Sequence, residues 1–440
     1  MEHIDTLLHA RWIIPVRPAK TTLAHHTLAV DNGRIVACLP TAAARDHFTA
    51  DHDIALAHHA LIPGLVNAHT HAAMTLFRGM ADDKALMNWL HNHIWPAEQA
   101  HVNHAFVRDG ARLAIAEMLL GGTTAFNDMY FFPDAVAQVA RDIGMRAAVG
   151  LIMVDFPSAW AQTPEDYLRL GLELHDQVRD DPLIHAVFAP HAPYTVSDEP
   201  LRRIRTLADE LQLPIHMHVH ETAQEVRDAI ARHDERPLNR LHRLGLLSPS
   251  LLAVHMTQLT PTDIELTANT GAHIVHCPES NLKLASGQCP VHTLQQAGIN
   301  VALGTDGAAS NNDLDMLSET RSAALLAKIT AADATAVPAA TALEMATLNG
   351  ARALGLEDTI GTLEIGKAAD ITAIDLDMPA TTPVYDPIAQ IVYAAGRDQV
   401  SDVWVAGIRQ VSQGQLTRIH LADVHAAANT WAERIRTRQH

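Results

Sequence analysis

Residues 61–71 read LIPGLVNAHTH, an apolar run that ends in two histidines separated by one residue. A continuous apolar run of this length, with a Pro-Gly pair near its start, predicts a strand that is buried on both faces. Residues two apart on a strand point to the same side, so the imidazoles of His69 and His71 are expected to share one face. The strand and its paired imidazoles are the starting point for predicting both fold and site.

Seven further apolar runs follow, and helical stretches separate them. The eight runs occupy residues 61–69, 123–129, 146–152, 184–191, 214–221, 251–256, 272–279 and 300–306. The helical stretches include residues 104–120, 200–211 and 313–328. Strand–helix alternation with continuous apolar strands predicts an α/β fold with a buried parallel sheet, and eight repeats over roughly 250 residues match a (β/α)8 TIM barrel. A doubly wound open sheet is the alternative, but the Gly-rich phosphate fingerprint it often carries is absent from the sequence.

Both ends of the chain are predicted to be rich in β-strands. Residues 27–40 read as a hairpin around Asn32-Gly33, residues 367–375 alternate at period two, and residues 400–411 read as a second strand pair. The two ends are expected to pair into a small β-sandwich. We therefore predict three segments: residues 1–60 as the N-terminal part of the sandwich, residues 61–360 as the barrel, and residues 361–440 as the C-terminal part of the sandwich with a terminal helix.

The composition excludes several classes of protein. The 440 residues include 48% hydrophobic and 19% charged residues, with 3 cysteines and 29 histidines. A disordered chain, a collagen-like chain and a disulfide scaffold are excluded by these values. The formal net charge of −18 disfavours nucleic-acid binding, since a phosphate surface attracts clustered Lys and Arg.

The sequence predicts a cytoplasmic protein without a membrane partner. Its start, Met1 to Asp5, carries acids where a signal peptide needs bases, and no apolar run reaches the roughly 18 residues of a membrane span. The three cysteines, at positions 38, 277 and 289, form no CxxC pair and fit a reducing compartment.

Polar residues stand where the predicted strands end, which is where a (β/α)8 barrel builds its active site. They are His69, His71, His191, His218, Glu221, His255, His276 and Asp306. Three imidazoles and one carboxylate, from His69, His71, His218 and Asp306, form a ligand set suited to Zn²⁺, with Fe²⁺ or Mn²⁺ as alternatives. The strand ends therefore predict a metal centre.

Glu221 lies three residues beyond His218, where it can move a proton between a metal-activated water and a substrate. The alternative is an ordinary acid at a helix N-terminus. His255 is expected to face that water, with a buried structural histidine as the alternative. Two interpretations of His276 remain, a wall of the pocket and a structural residue that forms a hydrogen bond. No role is predicted for His216 or His220.

Five stretches of the chain resemble the amidohydrolase superfamily. They are residues 63–71, 218–222, 276–284, 304–312 and 360–370, and the similarity extends from about residue 5 to residue 415. Within the superfamily the chain is most similar to the branch of 5′-methylthioadenosine/S-adenosylhomocysteine deaminases, which is related to the triazine hydrolases.

The resemblance implies one Zn²⁺ per subunit, held by His69, His71, His218 and Asp306. Superfamily members with two metals carry a bridging lysine at the end of strand four, and residues 189–195 contain no lysine. A mononuclear site is therefore expected.

The resemblance also implies which residues bind the substrate. Glu98 would bind the ribose hydroxyls, with a solvated helix acid as the alternative, and His191, Glu221 and Asp306 would contact the nucleoside. Arg146 and Ser310 are weaker matches to substrate-binding positions. An arginine that opens strand three can also be structural.

The implied reaction is hydrolytic deamination of the adenine of 5′-methylthioadenosine, S-adenosylhomocysteine or adenosine to hypoxanthine, with release of ammonia. Glu221, His255 and Asp306 would be catalytic, with Glu221 protonating N1 of the ring. A free-purine deaminase, an s-triazine hydrolase and an inactive barrel with an assembly role are the alternatives. A homo-oligomer is expected, and the 5′ substituent is left open.

Overall fold

The structure is a computed structural model that describes residues 1–438; residues 439 and 440, the end of the predicted terminal segment, lie outside the described residues. Its strands are β1 (Glu2–Ile13), β2 (Leu23–Asp31), β3 (Arg34–Pro40), β4 (Phe48–Pro63), β5 (Leu65–Thr70), β6 (Thr123–Asp128), β7 (Arg146–Met153), β8 (Ile184–Pro190), β9 (Ile215–Val219), β10 (Leu251–His255), β11 (His273–His276), β12 (Val301–Leu303), β13 (Ile371–Asp375), β14 (Val400–Val405), β15 (Ile408–Ser412) and β16 (Gln415–Leu416).

The α-helices are α1 (Thr41–His47), α2 (Leu86–Trp89), α3 (Trp95–His101), α4 (His104–Leu120), α5 (Pro133–Ile143), α6 (Pro164–Val178), α7 (Asp198–Leu211), α8 (Ala223–His233), α9 (Pro237–Arg243), α10 (Pro261–Thr270), α11 (Pro278–Lys283), α12 (Val291–Gln296), α13 (Met316–Ala331), α14 (Ala339–Met345), α15 (Leu348–Ala353), α16 (Pro387–Tyr393) and α17 (Leu421–Arg438). Short 3₁₀ turns span Ala72–Phe77 and Arg397–Gln399, and a π-helical turn spans Leu90–Ile94. No helix within residues 1–438 is long and apolar enough to cross a membrane.

The eight predicted barrel strands are confirmed as β5 to β12, which lie side by side in chain order and pair in parallel. The last strand meets the first through the Asp306 N–H, which donates to the His69 carbonyl at 3.0 Å. Gly304 permits this approach, because a Cβ there would lie 2.7 Å from the His69 nitrogen. The (β/α)8 barrel is therefore confirmed, and its closure brings Asp306 beside the histidines of β5.

The other strands form a mixed sheet in the order β16-β15-β14-β13-β4-β1-β2-β3. Its two halves come from the two chain ends and join where β4 pairs antiparallel with β13. Apolar side chains of both halves, among them Leu28, Ile35, Ile371 and Trp404, share one core, because the sheet curls on itself. The predicted small sandwich built from both chain ends is confirmed.

The chain crosses between the two sheets at Gly64, which separates β4 from β5, and again between α15 and β13. We propose domain boundaries near residues 60 and 360 on this basis, as the sequence predicts. Strand β5 carries His69 and leads directly into His71, so both candidate ligands follow closely on the central strand of the curled sheet.

Candidate active site

Four side chains meet at the carboxyl ends of β5, β9 and β12. His69, His71, His218 and Asp306 each offer one ligand atom, and these atoms all lie within 4.8 Å of one another. The Nε2 atoms of His69 and His71 lie 3.3 and 3.2 Å from Oδ1 of Asp306. The structure thus brings together the whole ligand set that the sequence predicts.

The hydrogen bonds of the histidines test whether this cluster fits a metal ion. Nδ1 of His71 lies 2.6 Å from the Met129 carbonyl, and Nδ1 of His218 lies 2.8 Å from the His191 carbonyl. A carbonyl only accepts, so both Nδ1 atoms must donate, and in the neutral imidazoles the Nε2 lone pairs are left facing Asp306. Electron-rich atoms at such distances need a cation between them, and the buried Nε2 of His69 has no hydrogen-bond partner among the described residues. The cluster fits a divalent metal ion.

Asp306 is held in place from three sides. Oδ1 accepts the Gly307 N–H at 2.8 Å, while Oδ2 accepts the hydroxyls of Ser280 at 2.6 Å and of Ser310 at 2.8 Å. All three groups donate hydrogen bonds, and these bonds stabilise the ionised form of Asp306. The side chain is therefore a carboxylate. Ser310 and Ser280 therefore both contact Asp306, and no role was predicted for Ser280.

Glu221 lies just past the end of β9 with its side chain 7% exposed. Its backbone N–H and that of His220 donate to the Glu225 carboxylate at 2.7 and 3.0 Å, so α8 holds the turn that carries Glu221. Burial raises the pKa of Glu221 to about 8, and the charge of Asp306 acts in the same direction. A carboxyl group with this pKa holds a proton near neutral pH and can give it to a substrate.

His255, the last residue of β10, faces Glu221. Its Nε2 lies 3.9 Å from a Glu221 oxygen, and its Nδ1 lies 2.9 Å from Oδ1 of Asn281. Burial lowers its pKa, so the ring is neutral. The ring stacks 5.4 Å from that of His218, centroid to centroid, which places His255 beside the ligand cluster.

Residues 60–409 match the amidohydrolase family. The chain belongs to the amidohydrolase family. It is 50% identical over 432 residues, 98% of both chains, to a 5-methylthioadenosine/S-adenosylhomocysteine deaminase of Teredinibacter turnerae. It superposes with a TM-score of 0.98 and 55% identity, over 99% of both chains, on an adenosine deaminase of Xanthomonas campestris that has bound zinc. An atrazine chlorohydrolase of Arthrobacter aurescens, at 23% identity and a TM-score of 0.89 over 97% of this chain and 100% of its own, shares the fold.

Three of the four candidate ligands, His71, His218 and Asp306, line a cavity of about 820 Å³, counting its open mouth. His191, Glu221, His255 and Asp306 line this cavity, as the sequence predicts for substrate-binding and catalytic residues. Glu98, from α3, lines it as well and accepts a hydrogen bond from the Tyr130 hydroxyl at 2.7 Å. We call this space the catalytic cavity.

Arg146 lies outside the catalytic cavity, at the opposite end of the barrel. Its guanidinium forms two hydrogen bonds with the Asp370 carboxylate, at 3.0 and 3.1 Å, and a third with the Pro182 carbonyl. Both side chains of the ion pair are almost fully buried. Arg146 therefore joins the barrel to the curled sheet. This contact favours a structural role for Arg146 over the substrate-binding role that the resemblance implies.

Three other buried histidines, His216, His220 and His276, lie near the site but in different positions. His216 lies on the inner face of β9 and contacts His69, with its Nε2 2.8 Å from the His69 Nδ1. His220 turns away, because a positive φ of 52° ends the strand there, and its Nε2 accepts the Leu238 N–H. His276 is buried on β11 but does not line the catalytic cavity.

Proposed function

We propose that the chain is a zinc-dependent deaminase of adenine nucleosides, with 5′-methylthioadenosine, S-adenosylhomocysteine and adenosine as the substrate class. The reaction adds water to C6 of adenine and releases ammonia, leaving the hypoxanthine nucleoside. One observation carries the proposal: three of the four candidate ligands line one cavity together with Glu221 and Glu98. The names of the similar deaminases from Teredinibacter and Xanthomonas support the same substrate class.

The proposed metal is one zinc ion per chain, held by His69, His71, His218 and Asp306. Three imidazoles and a carboxylate suit zinc, and the similar Xanthomonas protein has bound zinc. A bound zinc ion would lower the pKa of a coordinated water from 15.7 to about 7.

The side chains around this site are proposed to move the protons. Glu221 donates its proton to N1 of adenine as water adds to C6, which prevents a negative charge from building up on the ring. Asp306, whose Oδ2 is occupied by two serine hydroxyls, accepts the proton that the water loses. His255 accepts through Nε2, because Nδ1 of the neutral ring donates to the Asn281 Oδ1. The proton reaches the leaving amino group through Glu221 or Asp306, so ammonia departs neutral.

Glu98 is proposed to bind the ribose hydroxyls. Its Oε1 accepts the Tyr130 hydroxyl at 2.7 Å, which orients the carboxylate and leaves acceptor capacity for two further donors. His191 lines the same cavity, and its Nδ1 lies 3.0 Å from the Thr195 hydroxyl. This pairing keeps Nε2 available for a substrate contact.

The experiment that tests the function compares nucleosides with free bases. In a Glu98→Gln variant, kcat/KM for adenosine should fall at least about tenfold, because charge-assisted hydrogen bonds to the ribose are lost, while turnover of adenine or guanine should stay at its original level. Glu265→Gln, an exposed site on α10, is the matched control. Equal losses on nucleoside and free base would contradict the nucleoside assignment and favour a free-base deaminase.

We also propose a cytoplasmic location and a homo-oligomer. The three cysteines are free, as expected in a reducing compartment. Two apolar side chains of α13, Leu325 and Ile329, are 51% and 72% exposed, which suits an assembled enzyme.

A further inference from the structure

A buried carboxyl group on α13 lies outside the catalytic cavity. Glu319, in the first turn of this helix, is fully buried and does not line the cavity. Burial and the neighbouring carboxyl groups of Glu279 and Asp313 raise the pKa of Glu319 well above the usual range. An acid in the first turn of a helix is favourable at the surface, but a buried one costs free energy unless hydrogen bonds compensate. The contacts of Glu319 therefore need to explain its position.

Glu319 holds the turn that carries Asp306. Its Oε1 accepts a hydrogen bond from Nδ2 of Asn311 at 2.6 Å, and the same amide nitrogen donates to the Thr305 carbonyl at 2.8 Å. A carbonyl only accepts, which fixes the orientation of the Asn311 amide and makes Glu319 an acceptor in this contact. The Asn311 backbone N–H also donates to the Gly307 carbonyl at 3.0 Å and closes the turn. The turn around Asp306 is thus tied to α13.

The other oxygen of Glu319 holds the start of α11. Oε2 accepts the Glu279 N–H at 3.3 Å. The Glu279 side chain returns to α13, where its Oε1 accepts the hydroxyls of Ser318 at 2.5 Å and of Ser322 at 2.7 Å. The backbone and the side chain of Glu279 are therefore both bound to the helix that carries Glu319, and the first turn of α11 is fixed against α13.

The two residues that follow Glu279 contact the candidate site. The Ser280 hydroxyl donates to Oδ2 of Asp306 at 2.6 Å. Oδ1 of Asn281 lies 2.9 Å from Nδ1 of His255 and accepts its hydrogen. A displacement of the start of α11 would therefore move the support of a candidate metal ligand and that of a candidate catalytic histidine together.

We propose that Glu319 is a positioning residue for the deamination, and that its two carboxyl oxygens fix the two loops that hold Asp306 and His255. This inference rests on the proposed function. Metal affinity and catalysis both depend on the hydrogen bonds that orient the ligands and their neighbours. Two N–H donors reach Glu319 from different loops, and each needs its own acceptor oxygen. A glutamine offers one acceptor oxygen and an NH2 group that cannot accept.

The test is a Glu319→Gln variant of the full-length, zinc-loaded protein, assayed with 5′-methylthioadenosine. The two side chains are similar in size, so the variant should lose one of the two contacts and little else. We expect kcat to fall about tenfold while KM changes by less than about twofold, because Glu319 does not line the cavity that binds the nucleoside. Competition with a chelator should show that the zinc dissociation constant rises about tenfold.

Two further variants separate positioning from stability. Asp386 is exposed and caps α16, which packs against α13, so Asp386→Ala should lower the melting temperature and leave kcat and the zinc dissociation constant unchanged. Asn311→Ala removes one of the two contacts while Glu319 stays in place, and it should lower kcat about as much as Glu319→Gln does. If Glu319→Gln does not fold, Asn311→Ala decides the question by the same measurements.

A folded Glu319→Gln variant that keeps both its kcat and its zinc affinity would overturn this inference. An equal fall in kcat in Asp386→Ala would overturn it as well, because the defect would then follow from stability alone. Both results would leave the deaminase function standing. If the unmodified protein releases no ammonia from any adenine nucleoside, the proposed function and its link to Glu319 are overturned, while the zinc dissociation constants still test whether Glu319 fixes Asp306.

Discussion

The two ends of the barrel both bury charged groups, but in opposite ways. At the amino end Arg146 and Asp370 satisfy each other, and Asp370 also accepts the Ala406 N–H at 2.8 Å. At the carboxyl end the Nε2 atoms of His69 and His71 lie 3.3 and 3.2 Å from Oδ1 of Asp306, and the buried Nε2 of His69 has no hydrogen-bond partner among the residues described. A satisfied buried pair stabilises a fold, whereas an unsatisfied set of electron-rich atoms is prepared for a cation.

Non-glycine residues with positive φ angles occur at both ends, as at Ala406 (47°) beside Asp370, but at the carboxyl end they include candidate site residues. Two candidate site residues at the carboxyl end, His255 and Asp306, have positive φ angles of 74° and 63°. Such angles are uncommon outside glycine and persist where the surrounding structure enforces them. Positive φ angles at two candidate site residues indicate that the surrounding structure fixes their positions, so substitutions at the two ends should have separable effects.

The largest effect is expected at Asp306. An Asp306→Ala variant removes a metal ligand and the proposed acceptor of the water proton, so kcat/KM should fall at least about a thousandfold. Ammonia release and metal content, measured together on the folded protein, check this. Asp180→Ala, at a side chain 94% exposed, is the control. A variant that keeps more than about a tenth of the activity would contradict the role of Asp306.

Glu221→Gln should separate proton transfer from metal binding. The side chain lies beside the ligand cluster and is not part of it, so kcat should fall by about 10²- to 10⁴-fold while the zinc content stays the same. Steady-state kinetics and metal analysis of one preparation provide the measurement. Parallel loss of zinc would mean that Glu221 is a ligand, contrary to our assignment.

At the amino end, Arg146→Met should destabilise the fold without impairing chemistry. It leaves the Asp370 carboxylate buried and unpaired, at a cost of about 3–5 kcal/mol in the free energy of unfolding. Urea denaturation measures this loss, and kcat/KM per folded molecule should stay within about twofold. The Arg146→Met/Asp370→Leu double variant should recover much of the stability. A catalytic defect at unchanged stability would favour the substrate-binding interpretation of Arg146.

His216 tests how far the carboxyl-end site extends into the barrel. A His216→Phe variant keeps a ring but loses the contact with His69, so the zinc dissociation constant should rise about 10- to 100-fold. Competition with a chelator measures this constant. His185→Phe, on β8 beside Arg146, is the matched control and should not change it. Unchanged affinity in the His216 variant would show that His69 is oriented without it.

The smallest effect is a pH dependence from Glu98. Burial raises the pKa of Glu98 to about 7, although the Tyr130 hydroxyl and His71 oppose this. A raised carboxyl pKa means that Glu98 loses its charge as the pH falls through 7, so ribose binding weakens in acid. The ratio of kcat/KM in the original protein to that in Glu98→Gln should fall about tenfold between pH 8 and pH 6. A ratio that does not change with pH would contradict the assignment of this pH dependence to Glu98.

The sequence predicts the barrel well because its strands are buried on both faces and end in polar residues. His69, His218 and Asp306 stand out for that reason, and closure of the barrel confirms that they meet. The supporting contacts are less visible, since Ser280 and Glu225 reach the site through folding of their loops and helices. Glu98 could be identified only through the resemblance to the amidohydrolase superfamily. The hydrophobic pattern of the segment around α3 does not predict which residue faces the cavity.

Titration of metal-depleted protein with zinc tests the central claim most directly. Ammonia release from 5′-methylthioadenosine should rise in proportion to added zinc and level off at about one ion per chain, and a chelator should abolish it. Full activity in protein that holds less than about half a metal ion per chain would contradict the account, as would fully loaded protein that releases no ammonia from any adenine nucleoside.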